Sequence, residues 1–503
     1  MAGPLAGAPA PSYFRIKVTD EQTGRGVPLV ELRTVHNTRY YTDSNGLVAF
    51  YEPGLMGQQV FFTVSSHGYE VARDVFGYAG TALQAREGGR AVIRVRRRNI
   101  AERLYRITGA GIYRDCILLG EPVPIRQPLL NAQVVGQDSV QAVPWRGRIY
   151  WFWGDTNWPR HPLGSFRVSG ATSLPPGQGG LDPKVGVDLA YFTAPDGSSK
   201  PICPMEGEGP VWIEGLLAAP DEMGRERLAA RYTRMKSLGE MLEHGVVVFD
   251  EKAEVFTKRA VFDLKDQWRC PRGHPLRVGE HFLFATPYAT VRVRADLKHI
   301  ADPSSYEAFT CLEPGTRYDK AAARVERGPD GHLVCDWKPN TDPLTQDQER
   351  ELIAAGKIKD GEASFQVQDV ETGKPVEMHS GSINWNAYRK KWILIAVQAY
   401  GSSSFLGEVW FAEADAPVGP WRWAKKVVTH EQYSFYNPAH HPFFDQEGGR
   451  LIYFEGTYAE TFSGNPSPTP RYDYNQVMYR LDLADPRLKQ PLEPPKARAA
   501  PLN

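Results

Sequence analysis

Two aspartates, Asp138 and Asp155, flank a stretch that reads as a two-stranded hairpin over residues 135–158, with Trp145, Arg146, Gly147 and Arg148 at its turn. The arms are rich in β-branched and aromatic residues, types that suit a pleated, half-buried surface. Residues equally far from an antiparallel turn lie opposite each other, so both carboxylates fall near the open end. Two carboxylates close together in a water-poor cleft do not both ionise easily, and one keeps its proton toward neutral pH. An acid beside a carboxylate is what cleavage of a glycosidic bond asks for. The same residues could equally cap strand ends or bind turn amides, and spacing alone does not choose.

The elements that must position these groups follow a repeated theme. An apolar strand carrying polar residues leads through a short turn into a second apolar strand and then one or two weaker ones. Five such copies, of about 60 to 80 residues each, predict a five-bladed β-propeller over residues 105–485, since radial repetition protects sheet edges. The last copy supplies three strands, and the missing one is expected from residues 116–119 or 129–135. A polar stretch around 315–375 breaks the rhythm and is expected to be an insertion near the cleft or an edge, with a short helix over 345–355. In a propeller the starts of the innermost strands gather at one mouth. Here those positions are Asp138, Glu214, Arg272 with His274, His379 with Ser380, and His440 with His441. Buried charge is costly unless paired, so this concentration on apolar strands marks a candidate site.

Residues 12–99 alternate as short strands between turn signals, the pattern of a small β-sandwich, and carry no catalytic cluster. The fold class expected is therefore all-β, a sandwich followed by a propeller. Its run of Asp20, Gly24, Pro28, then Asp43, Gly46 and Phe50, then Gly68 and Tyr69 resembles the carboxypeptidase-regulatory-like (transthyretin-like) domains, which are usually accessory. The chain has 503 residues, with 59 acidic and 59 basic, so it offers no net field for nucleic acid. No apolar run approaches the roughly 20 residues of a membrane span. The five cysteines, Cys116, Cys203, Cys270, Cys311 and Cys335, have no C-x-x-C spacing and spell neither a disulfide framework nor a zinc motif. The first eleven residues read as a disordered leader or the remnant of a trimmed signal, and a secreted or periplasmic protein is expected.

The layout is similar to the five-bladed glycosidases that include arabinanases, β-xylosidases, invertases and levansucrases. The pair G-Q-D-S-V and W-F-W-G-D-T looks most like the first-blade hairpin of the D-arabinan-degrading type. That resemblance implies a carbohydrate substrate, arabinan-like among the candidates. Asp138 matches the first-blade acidic residue, Asp155 the W-G-D-T aspartate, and Glu214 stands where the second-blade acid would be. The third blade departs, because Arg272-Gly-His274 stands where many relatives place a glutamate. Trp145, Trp151, Trp153, Trp158 and Trp212 are candidate stacking residues for sugar rings, of which about half must face the core. Glu455 and Glu460 are reserve carboxylates. No cofactor is required for this chemistry. His379 and His440 are candidate holders of sugar hydroxyls or of a divalent ion in the central channel, Ca²⁺ by resemblance. Two other classes stay open. One is a polysaccharide lyase, with Arg272 or a metal neutralising a uronate and His274, His379, His440 or Tyr436 as base. The other is a propeller that binds glycans without turnover.

Overall fold

The computed structural model describes residues 12–160 and 167–488; the proposed leader lies outside these residues. The first unit is a β-sandwich. Strand Phe14–Asp20 buries every second residue, and Gln59–Ser65 of the facing sheet repeats the alternation, so one face of each is apolar. One sheet runs Leu47–Phe50, Phe14–Asp20, Arg90–Arg97, Tyr69–Glu70, and the other Arg39–Tyr41, Glu31–Thr34, Gln59–Ser65, Gly80–Gln84. Ile16, Val18, Leu32, Phe50, Phe62 and Val95 meet between them, fully buried.

The rest is a five-bladed β-propeller. Its blades are five sheets of four or five strands, antiparallel except where Gln368–Asp369 joins the fourth in parallel, and their innermost strands are Gln141–Trp145, Val211–Pro220, His274–Val278, Met378–Asn386 and Ser434–His440. Neighbouring inner strands touch in that order, and the last meets the first where Asn437 Nδ2 donates to Ser139 Oγ at 2.7 Å. Apolar residues fill the spaces between blades on both faces of each sheet. Second strands such as Lys391–Gln398 are therefore a nearly continuous buried run, where a one-sided sheet would alternate.

One expectation is corrected here. The fourth strand of the last blade is Glu102–Arg106, which runs antiparallel to Asn475–Asp482 with Val477 opposite Arg106 and Met478 opposite Tyr105. The segments expected to supply it do other work. Arg114–Leu118 is a short helix, with the Cys116 N–H donating to Asp43 of the sandwich at 2.8 Å, and residues 129–135 are turns. Glu102–Arg106 was hidden by its charges: Glu102 is paired with Arg480, and Arg103 and Arg106 are buried at 1% and 2% exposure. The polar stretch lies at an edge, one of the two places expected for it. It supplies outer strands to two blades, Asp336–Pro339 to the third and Gln368–Asp369 to the fourth. Between them lies the helix Gln346–Ala354, started by a capping box in which Thr345 and Gln348 satisfy each other's amides.

The sandwich is seated on the last blade and on Trp423–Val428, an outer strand of the fourth. Arg103 reaches back to the Ser66 hydroxyl, the His67 ring meets Tyr458 Oη at 3.2 Å, and the amides of Ile100 and Ala101 both donate to the Val427 carbonyl at 3.1 Å. The closing strand is thus also the joint between the two units. Leu104→Ala, which opens a cavity at a fully buried position on that strand, should cost about 2–5 kcal/mol. Urea unfolding followed by tryptophan fluorescence would read this as a lower midpoint for the propeller, whereas a midpoint equal to wild type would deny the strand its closing role.

Candidate active site

The hairpin forms as its spacing predicts. Gln141–Trp145 and Arg148–Trp153 pair with Trp145 opposite Arg148, and the turn residues Arg146 and Gly147 both take positive φ, 47° and 75°. Beyond a local break the arms pair again, Gln137 with Thr156. Asp138 and Asp155 sit at that break. The Asp155 N–H donates to Asp138 Oδ1 at 3.0 Å and the Gly154 N–H to the Asp138 carbonyl at 2.8 Å. Gly154 is required here, since a Cβ would lie 2.4 Å from Asp138 Oδ1. One oxygen of Asp138 thus does the bland work of binding a turn amide. The other, Oδ2, accepts from Tyr436 Oη at 3.1 Å, and Tyr474 is a further hydrogen-bond partner of the carboxyl.

Burial, and then the charge of Asp155, push the Asp138 carboxyl up to about 7 in spite of these donors. Asp155 is also raised by burial, opposed by the indole of Trp212, whose Nε1 donates to its Oδ1 at 2.8 Å. Two residues along the same strand, hence on the same face as Trp212, stands Glu214. Its environment is opposite in sign. It is ion-paired with Arg231, accepts from the Gly273 N–H at 3.1 Å and lies near Arg272; although burial opposes them, these cations and the bond hold it below the usual carboxylate range. Glu214 is therefore an ionised partner rather than a proton donor.

Glu214 opens onto a cavity of about 160 Å³ on the propeller axis, lined also by Ser139, Gln141, His274, Ser380 and Asn437. This is room for about five waters. Burial lowers His274 to about 4, so its imidazole is neutral. A polar chain crosses three blades at this mouth: the His379 ring meets Ser380 Oγ at 3.3 Å, Ser380 Oγ donates to Asn437 Oδ1 at 3.0 Å, and Asn437 donates to Ser139. Ser139 and Asn437 both have positive φ, 56° and 49°, and so does Tyr474 at 62°. Such backbone strain costs on the order of 1–3 kcal/mol per residue and clusters where function needs it. Sequence patterns carried no signal for this strain, nor for Tyr474 and Arg231 as partners of the carboxylates.

Several predicted site residues lie elsewhere. His440 is 5% exposed, with Nε2 against Asp445 at 2.8 Å and Nδ1 near the Asn384 amide at 3.2 Å. Glu455 has no exposure and is bound to His441 at 2.7 Å, burial raising the one and lowering the other, so it cannot touch a substrate. Trp145, Trp151 and Trp153 are core residues at 2%, 0% and 1% exposure. Trp158 donates to Ser199 and lies under Arg160 in a separate surface groove. A divalent ion on His379 and His440 does not fit, because His440 spends both ring nitrogens on protein partners and His379 is an exposed residue bonded to Ser380. Among the described residues no group of three or more His, Cys, Asp or Glu is arranged to hold a metal ion.

The raised carboxyl has a stability signature. A group whose folded pKa exceeds its unfolded value near 3.9 stabilises the fold fully below that value and loses the contribution as pH rises toward 7. Asp138→Asn removes this loss. The melting temperature of the variant relative to wild type should therefore increase by a few degrees from pH 5 to pH 8 in differential scanning calorimetry, and a constant difference would mean that Asp138 titrates normally.

No family model matches the sequence, and no curated protein does. Solved structures do. A Bacteroides ovatus protein whose structure is titled a putative hydrolase aligns over 69% of this chain and 86% of its own at 12% identity, with a TM-score of 0.39. An exo-β-1,3-galactanase from Phanerochaete chrysosporium, solved with β-1,3-galactotriose, aligns over 70% and 61% at 10% identity, with a TM-score of 0.35. An α-L-arabinofuranosidase from Fusarium graminearum, solved with an iminosugar inhibitor, aligns over 76% and 98% at 12% identity, with a TM-score of 0.34.

Proposed function

We propose that the protein is a glycoside hydrolase that cleaves a polysaccharide or oligosaccharide, arabinan-like among the candidate substrates, at the mouth of its propeller. The observation that carries the reading is the contrast among three carboxyls. Asp138 is pushed to about 7, Asp155 beside it is raised by burial against an indole N–H, and Glu214 is held below the usual carboxylate range by Arg231 and Arg272. Neighbouring carboxyl groups driven to different protonation states are what acid–base cleavage of a glycosidic bond uses.

In this reading Asp138 is the acid. It gives its proton to the glycosidic oxygen as the C–O bond breaks, and Tyr436 and Tyr474 then hydrogen-bond the carboxylate left behind. Asp155 faces the developing positive charge at the sugar carbon as base or nucleophile. Glu214 adds negative potential to the cavity, and the neutral His274 with Ser139, Ser380 and Asn437 offers donors and acceptors to sugar hydroxyls. A polymeric substrate would place the enzyme outside the cytoplasm, secreted or periplasmic.

The test is a panel of neutral and uronate polysaccharides, read for new reducing ends and for the ultraviolet absorbance of an unsaturated uronate. The expected result is new reducing ends without absorbance, with Asp138→Asn lowering kcat by about 10²- to 10⁴-fold while its fold is retained by circular dichroism. Absorbance rising with the reducing ends would replace hydrolysis by elimination. Glycan binding with no product from any substrate would make the propeller a binding module.

A further inference from the structure

The fold brings together two cysteines that are far apart in sequence. Strands Glu307–Thr310 and Asp336–Pro339 pair antiparallel at the outer edge of the third blade, with Phe309 opposite Trp337 and Thr310 opposite Asp336. One step further, Cys311 faces Cys335. The ladder's hydrogen bonds fix the kind of position this is. Pro339 has no N–H to give, and the Trp337 N–H is spent on the Asp336 side chain at 2.7 Å. Since bonded and non-bonded pairs alternate along an antiparallel ladder, the positions of Pro339, Trp337 and Cys335 are the non-bonded ones. The Cys311 carbonyl agrees, accepting instead from the Glu326 N–H at 2.8 Å. At such positions Cα atoms lie about 4.5 Å apart and side chains approach most closely, within the range a disulfide spans.

The two thiols also share a small core with Leu312, Leu344 and Leu352, and hydrogen-bond to each other. They differ in access: Cys311 is 3% exposed, whereas Cys335 is half-buried. The other three, Cys116, Cys203 and Cys270, are buried in separate cores.

We propose that Cys311 and Cys335 form an oxidisable cross-strand pair, which becomes a disulfide when the folded protein meets a small-molecule disulfide. The Cys335 thiolate, the accessible one, attacks a sulfur of oxidised glutathione and releases one glutathione thiol. Cys311 then attacks the Cys335 sulfur of the mixed disulfide, its proton passing to the second departing glutathione. Two protein thiols are oxidised to one S–S bond, and one glutathione disulfide is reduced to two thiols. The hydrogen bond from Cys311 holds Cys335 below the usual thiol range, which favours it as the first attacker. The bond closes the loop 311–335 and staples the rim of the third blade. It lies away from the axial cavity and is independent of the reaction assigned there.

The test uses the full-length protein, equilibrated with oxidised glutathione or with dithiothreitol, then unfolded and alkylated for peptide mass mapping. The expected outcome is five alkylated cysteines in the reduced sample and three in the oxidised one. Cys311 and Cys335 should appear in one cross-linked peptide pair lighter by two hydrogens, and limited proteolysis within 311–335 should be several-fold slower. Cys335→Ser should leave Cys311 alkylated under both conditions, and Cys116→Ser should change nothing in the pair. Five alkylated cysteines after oxidation, glutathione retained on Cys335, a link between other cysteines, or equal proteolysis of the two forms would each overturn the proposal.

Discussion

The antiparallel ladder between Glu102–Arg106 and Asn475–Asp482 is the contact on which the molecule depends. A ring of blades has a seam, and the seam is closed here by pairing the first strand of the propeller with the last. Because it is the chain just after the sandwich that closes the ring, the sandwich is drawn onto the last blade, and the buried Arg103 and Tyr458 meet the half-buried His67 at the joint. Without closure the last blade would not meet the first, and Asn437 would not reach Ser139. The candidate site is therefore a property of the closed ring, although two of its three carboxylates, Asp138 and Asp155, come from one hairpin.

The site in turn shows how burial sorts three similar groups. Asp138 and Asp155 are enclosed with neutral donors, hydroxyls, amides and an indole, which soften but do not overcome the cost of charge. Glu214 has the guanidinium of Arg231 against it, and the outcome reverses. The difference lies in which neighbours the second blade brings, since Arg231 stands directly opposite Glu214 on the adjoining strand. His441 and Glu455 are bonded to each other in full burial, out of a substrate's reach.

Several readings from residue type alone were misled in one consistent way. Alternation along a strand separates two faces, but in a propeller both faces of most strands are covered by neighbouring blades. Trp153 and His440 were read as site residues because they are large or ionisable and lie on the right strands. Both are buried between blades instead. The closing strand was missed for the converse reason, since Glu102, Arg103 and Arg106 make a buried strand look like a solvated linker.

Legible in the chain were the sandwich, the five repeated sheets and the first hairpin with its two aspartates. Each rests on local pattern: alternation, turn residues and the symmetry of positions about a two-residue turn. Which strand closes the ring, that Glu214 is held below the usual carboxylate range while Asp138 is raised above it, that Ser139 and Asn437 meet at positive φ, and that Cys311 faces Cys335 all arise from the packing of distant segments. Ring closure and strand register set these contacts, and both depend on how the whole ring's buried surface fits together rather than on any one stretch of residues.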